Sequence, residues 1–120
     1  MKFEGIYTPV ITPLNPEGQI DKIAFAEVLE YLIDAKVHGI IVAATTGEYY
    51  AHTAQERYDL AKHAKEVIGS RVPLMIGTGA IRTEDSVEYA KVAKEIKADS
   101  ILVTTPPYAL PTEKETAIHA

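Results

Sequence analysis

The feature that most constrains this chain is a regular alternation of short apolar segments with longer amphipathic ones. The apolar segments are Gly5–Ile11, Gly39–Ala43, Val72–Ile76 and Ser100–Val103. They contain β-branched residues and recur at a spacing of roughly 30 residues, the length of one strand, one helix and their loops. The sequence therefore predicts four successive βα units, which is typical of an α/β protein built on a parallel sheet.

The stretches that follow these segments carry signals for helix N-termini. Asp21 is a favourable N-cap. Thr53 and Thr112 each precede a glutamate by three residues, which is the capping-box pattern. A third helix is expected to follow Thr83, with two acidic residues in its first turn. The side chains expected on the buried faces of the first three helices are Phe25, Val28, Leu29, Leu32, Ile33, Leu60, Ala61, Ala64, Val67, Ile68, Val87, Ala90, Ala93 and Ile96.

Two architectures share this alternation. The first is the closed (βα)8 TIM barrel, which needs about 250 residues. The 120 residues of this chain would then supply about four βα units, which is half a barrel. More chain or a partner would be needed to complete it. The second is a doubly wound open sheet, in which the strand order reverses and helices cover both faces. Alternation alone does not separate the two.

Composition narrows the possible functions. Twelve Lys and Arg residues stand against 17 Asp and Glu, a net charge of −5, and the basic residues are scattered, so nucleic acid is not an expected partner. The absence of cysteine excludes disulfides, thiolate metal sites and a cysteine nucleophile. The longest apolar run, Ile40–Ala44, is too short for a signal core or a membrane span, so a cytoplasmic enzyme is expected.

The four histidines lack the spacing of a metal site, and we expect them to be surface or packing residues without a metal. They are His38, His52, His63 and His119.

The residues that follow the predicted strands are the strongest sign of function. They form the segments Ala43–Glu48, Gly77–Ala80 and Thr104–Tyr108, which are small, hydroxylated and bent by glycine or proline. In a barrel these segments meet on the C-terminal face, where barrel enzymes have their active sites. Hydroxyl and N–H donors without a cation suit a small carboxylate or keto acid. The alternative is that Gly and Thr only make tight turns.

Four longer motifs carry a resemblance to a known family. The segments Phe3–Leu14, Thr45–Glu48 with the following Glu56-Arg57, Val72–Ala80 and Thr105–Tyr108 stand in the family's order and spacing. Over essentially its whole length the chain resembles the first four βα units of the dihydrodipicolinate synthase/N-acetylneuraminate lyase family. The resemblance implies the (βα)8 barrel rather than the doubly wound sheet, with residues 1–120 as the N-terminal half of a single catalytic domain.

The resemblance also implies a reaction and its residues. In this family a lysine forms a Schiff base with pyruvate, and no cofactor is needed. Thr46 would bind the pyruvate carboxylate through its hydroxyl and N–H, with Gly47 allowing close approach. Thr45 would relay protons together with Tyr108 of a neighbouring subunit, which implies a homodimer or homotetramer. Alternatively, Thr45 only satisfies local backbone and Tyr108 is an aromatic residue at the rim.

Two essential groups are expected on later strands, namely the Schiff-base lysine and the main proton-shuttling tyrosine. The lysines present at Lys62, Lys65, Lys91 and Lys94 lie on predicted helices facing solvent, where a charged amine is a poor nucleophile. The chain by itself is therefore expected to be inactive.

The resemblance leaves three hypotheses open for the complete protein. The second substrate is aspartate semialdehyde if the protein is a synthase of lysine biosynthesis. Other members of the family act on sugar acids. A third hypothesis is a half-barrel scaffold without catalysis.

Departures from the family pattern bear on substrate and stability. Ala44 stands where glycine is usual, and the bulky pair Tyr49-Tyr50 follows Glu48, so the identity of the second substrate is in doubt. Lys36 and Lys97 stand at helix ends where relatives carry glycine. If the backbone is left-handed there, each lysine costs about 1 kcal/mol.

Overall fold

A computed structural model describes residues 2–107 and 110–120 as four βα units in chain order. The strands are β1 Tyr7–Pro9, β2 Gly39–Val42, β3 Leu74–Gly77 and β4 Ser100–Leu102. The helices are α1 Lys22–Asp34, α2 Ala54–Ile68, α3 Thr83–Glu95 and α4 Glu113–His119. Two single-turn 3₁₀ helices, Thr45–Gly47 and Tyr49–Ala51, lie between β2 and α2. No helix in the described part of the chain is both long and apolar enough to cross a membrane.

The four strands form one parallel sheet in the order β1-β2-β3-β4. In the register, Ile40 lies opposite Thr8 on one side and Leu74 on the other, and Ile76 lies between Val42 and Ile101. The sequential order predicted for a barrel half is confirmed, and the reversal of a doubly wound sheet is not found among the described strands. With strands in this order, the right-handed crossovers typical of βαβ units place the helices on one side of the sheet.

The core lies where β2 and β3 meet α1 and α2. Side chains from both layers are almost fully removed from solvent, and together they form one cluster. Its largest members are Phe25, Leu29, Ile40, Val42, Leu60, Ile68 and Leu74. The buried cluster includes Phe25 and Leu29 of the predicted α1 stripe and most of the predicted α2 stripe, so helical periodicity identified the inward faces. The other predicted residues of these stripes are partly buried against the cluster, namely Val28, Leu32, Ile33 and Val67.

The predicted helix starts are confirmed at α1, α2 and α4. The Asp21 carboxylate accepts a hydrogen bond from Ala24 N–H at 3.0 Å. Thr53 accepts from Glu56 N–H at 3.1 Å, while the Glu56 carboxylate accepts from Thr53 N–H at 2.7 Å. The same reciprocal pair recurs at the start of α4. Each pair satisfies backbone donors that would otherwise be unpaired.

Two predictions need correction. Val87 was expected to be buried, but it is 46% exposed, and the buried residues of α3 are Ser86 and Ala93. Their seven-residue separation places them on one face of the helix, and Val87 lies beside it, next to the incompletely covered β4. β1 is also shorter than predicted and ends at Pro9, and the hydrogen bond to β2 that lies farthest along it is from Val10 N–H to the Ile41 carbonyl at 2.9 Å.

The two lysines at helix ends adopt the left-handed backbone that the family comparison implied. The φ angles are +60° at Lys36 and +58° at Lys97. Because a side chain at such a position crowds its own carbonyl, each costs about 1 kcal/mol relative to glycine. The turns from α1 to β2 and from α3 to β4 are therefore built alike.

Candidate active site

The segments that follow β2, β3 and β4 meet at the carboxyl edge of the sheet, as predicted. Gly77 lies so close to the Ala43 carbonyl that a Cβ would collide with it. A Cβ on Gly79 would lie 2.9 Å from Thr104 Oγ1 and 2.9 Å from Tyr49 Cζ. Three loops separated in sequence therefore contact one another at this edge.

The turn after β2, residues 44–47, lies between two left-handed residues that are not glycine. Ala43 has φ +58° and Glu48 has φ +56°. Each such residue costs about 1–2 kcal/mol, and strain of this kind persists only where the surroundings enforce it, which is frequent at functional sites. The 3₁₀ turn Thr45–Gly47 lies between them. This backbone marks the turn as the candidate site.

Hydrogen bonds from the segment after β1 and from the segment before α2 hold the turn in place. The buried hydroxyl of Thr12 donates to the Gly47 carbonyl at 2.8 Å, and the His52 Nε2 lies 3.2 Å from the same oxygen. Within the turn, Gly47 N–H donates to the Ala44 carbonyl at 3.0 Å. A Cβ on Gly47 would lie 3.0 Å from the Val10 carbonyl. The close approach that requires glycine is thus to the end of β1.

The sequence-predicted residues Thr45 and Thr46 are exposed on this turn, whereas Gly47 is buried. Among the described residues, neither threonine hydroxyl forms a hydrogen bond, and no backbone carbonyl accepts from the Thr46 N–H. These donors are available to a ligand. Tyr108, the fourth predicted residue, lies outside the described residues, and its expected contact with Thr45 stays a prediction.

Arg57 is a buried charge, whereas the sequence named it only as part of a resemblance motif and gave it no role. It is 5% exposed, and its two terminal nitrogens donate to the Gly79 and Gly77 carbonyls, each at 2.8 Å. Its guanidinium lies 3.5 Å from the centre of the Tyr89 ring and 5.1 Å from that of Tyr49. Burial lowers the pKa of Arg57, and the neighbouring tyrosines act against that shift. Arg57 holds the loop after β3.

A signal for the burial of Arg57 was present in the sequence. Arg57 lies three and four residues before Leu60 and Ala61, and seven before Ala64, so it continues the apolar stripe of α2. No comparable signal pointed to Thr12 or His52. Both contact the Gly47 carbonyl, which is 35 residues from Thr12 and 5 residues from His52. Only the folded backbone brings those three groups together.

A cavity of about 500 Å³ lies behind these loops, lined in part by Tyr49, Arg57, Ile81 and Tyr89. Thr45 and Thr46 do not line it, so the exposed threonine donors lie outside this cavity. Within residues 2–107 and 110–120, no three His, Asp or Glu side chains converge as metal ligands.

The four lysines weighed as nucleophiles lie on helices as predicted. Lys62, Lys91 and Lys94 are exposed, and Lys65 is half-buried.

The fold and site define an α/β protein with a parallel sheet in sequential order and neutral hydroxyl and amide donors at its carboxyl edge. The sequence model of the dihydrodipicolinate synthetase family matches residues 2–120. The chain belongs to this family.

Among curated relatives, the 4-hydroxy-tetrahydrodipicolinate synthase of Kosmotoga olearia is 39% identical over 112 residues, which cover 93% of this chain and 38% of that protein. The chain thus spans about two fifths of the length of such relatives.

Solved structures of similar proteins superpose on nearly the whole of this chain. A prophage protein of the dihydrodipicolinic acid synthase family from E. coli K12, determined in complex with pyruvate, superposes with a TM-score of 0.93 at 33% identity, over 98% of this chain and 39% of that one. CdNal from Clostridium difficile, determined in complex with mannosamine, gives 0.95 at 25% identity over 99% of this chain and 41% of that one.

Proposed function

We propose that the complete protein containing this chain is a pyruvate-dependent lyase that works through a lysine Schiff base. Its favoured reaction is that of 4-hydroxy-tetrahydrodipicolinate synthase, which joins pyruvate to aspartate semialdehyde. The observation that carries the proposal is the Thr45–Gly47 turn, whose strained flanks and buried supports present two exposed threonine hydroxyls at the edge of the sheet. Family membership and the name of the Kosmotoga relative support it.

The chemistry assigns a task to each group. A lysine on a strand beyond Ala120 condenses with the keto carbon of pyruvate, and water leaves. The protonated imine withdraws electrons, so the methyl group loses a proton and the resulting enamine carbon attacks the aldehyde carbonyl. Thr46 holds the carboxylate through its hydroxyl and N–H. Thr45 and Tyr108 move the protons that these steps release and consume.

The hydroxyl and amide donors of this turn suit the carboxylate of a substrate that is bound as an imine. Hydroxyl and amide donors stabilise the anion by hydrogen bonds alone, and they do not compete with the imine as a second positive charge. Among the described side chains, the buried cation nearest in sequence, Arg57, is already engaged with Gly77 and Gly79. Carboxylate binding in this proposal is therefore neutral.

Barrel closure and oligomerisation belong to the same proposal. The eight-stranded barrel is completed by the residues that follow this chain. Tyr108 reaches Thr45 of a second subunit, so a homodimer or homotetramer is the active form. Residues 1–120 alone lack the Schiff-base lysine and do not turn over.

Borohydride trapping tests the proposal directly. The complete protein is incubated with pyruvate, reduced, and weighed as an intact chain, and a stable adduct on one lysine is expected. Thr46→Val should lower trapping at limiting pyruvate by about tenfold or more, since one hydrogen bond to a charged group contributes about 1.5–3 kcal/mol. Thr46→Ser keeps the hydroxyl and should retain trapping. A wild-type protein that forms no adduct contradicts the proposal and supports the scaffold hypothesis.

A sugar acid is the second candidate substrate, favoured by Tyr50. Its side chain is 67% exposed next to the site turn, whereas Tyr49 is half-buried against the core. Tyr50 therefore adds an apolar surface with a hydroxyl at the rim, suited to a longer polyhydroxylated chain. The Clostridium structure was determined with an amino sugar. Once pyruvate trapping is shown, turnover with aspartate semialdehyde compared with sugar-acid substrates decides between the two.

A further inference from the structure

His52 packs against the turn that carries Thr45 and Thr46. Its side chain is only 5% exposed, and Nε2 lies 3.2 Å from the Gly47 carbonyl oxygen. Because a carbonyl oxygen can only accept, Nε2 carries a proton and His52 is the donor. The other ring nitrogen, Nδ1, lies 3.9 Å from a carboxylate oxygen of Glu56.

The peptide unit between residues 47 and 48 is held at both ends. Its carbonyl accepts from His52 and also from the Thr12 hydroxyl at 2.8 Å. Its N–H, which belongs to Glu48, donates to the Thr45 carbonyl at 3.0 Å. Since a peptide unit is planar, fixing both ends fixes its orientation. This orientation in turn sets the left-handed backbone of Glu48 that closes the turn.

We propose that His52 is a positioning residue for pyruvate binding. His52 and Thr12 together clamp the Gly47 carbonyl, and this clamp keeps the Thr46 hydroxyl and N–H directed at the carboxylate. The inference rests on the proposed function of the turn. His52 acts through Gly47 and does not contact the substrate, so its loss weakens pyruvate capture and leaves the second substrate unaffected.

Two substitutions separate the hydrogen bond from the volume of the ring. His52→Phe keeps a ring and removes the donor, whereas His52→Gln keeps an N–H donor on a flexible stem. In the complete protein we expect His52→Phe to raise the pyruvate concentration for half-maximal imine trapping about tenfold, about 1.4 kcal/mol. His52→Gln should stay within about twofold of wild type, because it restores the donor. The KM of the second substrate should not change.

His63→Phe is the matched control. His63 also lies on the chain between β2 and β3, and its Nε2 contacts a backbone carbonyl, that of Lys22, at 3.0 Å. That carbonyl is far from the turn in sequence, so pyruvate trapping should be unchanged. A general effect of removing a histidine would appear in both variants, whereas loss of the clamp appears only at position 52.

Thr12→Val removes the second donor and tests the clamp without touching the histidine. It should raise the same pyruvate concentration, and the double variant with His52→Phe should exceed the sum of the two single effects, because the buried carbonyl then has no partner. Thr12→Ser should behave as wild type. Thr12→Val compared with Thr12→Ser also decides the matter if His52→Phe does not fold.

The outcomes distinguish this inference from the proposed function. A wild-type protein that traps no pyruvate overturns both. A wild type that traps pyruvate, with His52→Phe and Thr12→Val at the same half-saturation, overturns only the clamp. Equal losses in His52→Phe and His52→Gln, or an equal rise in the KM of the second substrate, also overturn it, since they indicate a structural role alone.

Discussion

The middle and the edge of the sheet differ in how well they bury apolar side chains, as one row of residues across the strands shows. Val42 on β2, Ile76 on β3 and Ile101 on β4 are register neighbours, yet they are 0%, 3% and 40% exposed. The first two lie in the core cluster with α1 and α2. Ile101 instead lines a small cavity with Val87 and His119, next to the seven-residue α4. Strands with similar apolar sequences are therefore buried to different extents by the helices next to them.

The difference in exposure follows from how many neighbours each strand has. β2 and β3 have strands on both sides and pack against the longer helices, and the turn after β2 is supported by Thr12, which follows β1, and by His52, which precedes α2. β4 has a strand on one side only among the described strands. An apolar side chain left open in such a row is suited to burial by further structure. The proposed barrel would supply that cover.

The largest effect should come from paired substitutions in this row. Ile76→Ala should destabilise the chain by about 2–5 kcal/mol, because it empties a buried position. Ile101→Ala, the same change at the register neighbour, should cost about 1 kcal/mol or less. Urea unfolding followed by circular dichroism measures both.

The same two substitutions, made in the complete protein, test whether later structure buries β4. There the cost of Ile101→Ala should rise towards that of Ile76→Ala if β4 is covered by later structure. Equal costs already in the 120-residue chain would contradict the difference between middle and edge.

Arg57 should give the next largest effect, since it stabilises the polar end of a middle strand. Arg57→Met leaves the Gly77 and Gly79 carbonyls without their donor and should cost about 1–3 kcal/mol. Arg57→Lys should lose part of this, because a compact ammonium cannot bridge both oxygens and lie flat on Tyr89. Arg82→Met, at an exposed arginine, is the control and should be close to neutral in the same unfolding assay.

The sequence predicted the helices and strands well, but it did not predict the residues that hold the Thr45–Gly47 turn in place. Helix starts at Asp21, Thr53 and Thr112 depend on contacts within four residues, so local pattern suffices. The residues that fix the turn, Thr12 and His52, depend on where a single carbonyl points after folding. Long-range polar contacts of this kind leave no periodic pattern, whereas a buried apolar face does.

The left-handed lysines test whether local turns depend on position in the sheet. Lys36 precedes the middle strand β2 and Lys97 precedes the edge strand β4, with the same φ within 2°. Replacing either by glycine should stabilise the chain by about 1 kcal/mol. Lys94→Gly, within the last turn of α3, should instead destabilise it by about 1 kcal/mol. Thermal unfolding of the three variants suffices, and unequal gains at 36 and 97 would show that sheet position matters.

The smallest effect should be a pH dependence that arises on the covered side of the sheet. Arg71, just before β3, forms a two-pronged ion pair with Glu30 of α1 at 2.9 and 2.7 Å. The hydrogen bonds from Arg71 hold the pKa of Glu30 below its ordinary value of 4.5. A carboxyl group with a lowered pKa stabilises the fold above its ordinary pKa, and this contribution is lost as the pH falls through the lowered one.

Comparing wild type with Arg71→Gln isolates this contribution, because every other carboxyl titrates in both proteins. Unfolding free energies measured from pH 7 to pH 3 should differ at neutral pH and converge in acid. The difference should be small, since both side chains are about half exposed, and it should shrink at high salt because solvent ions screen exposed pairs. A difference that grows as the pH falls would have the wrong sign and would exclude Arg71 as the cause of the lowered Glu30 pKa.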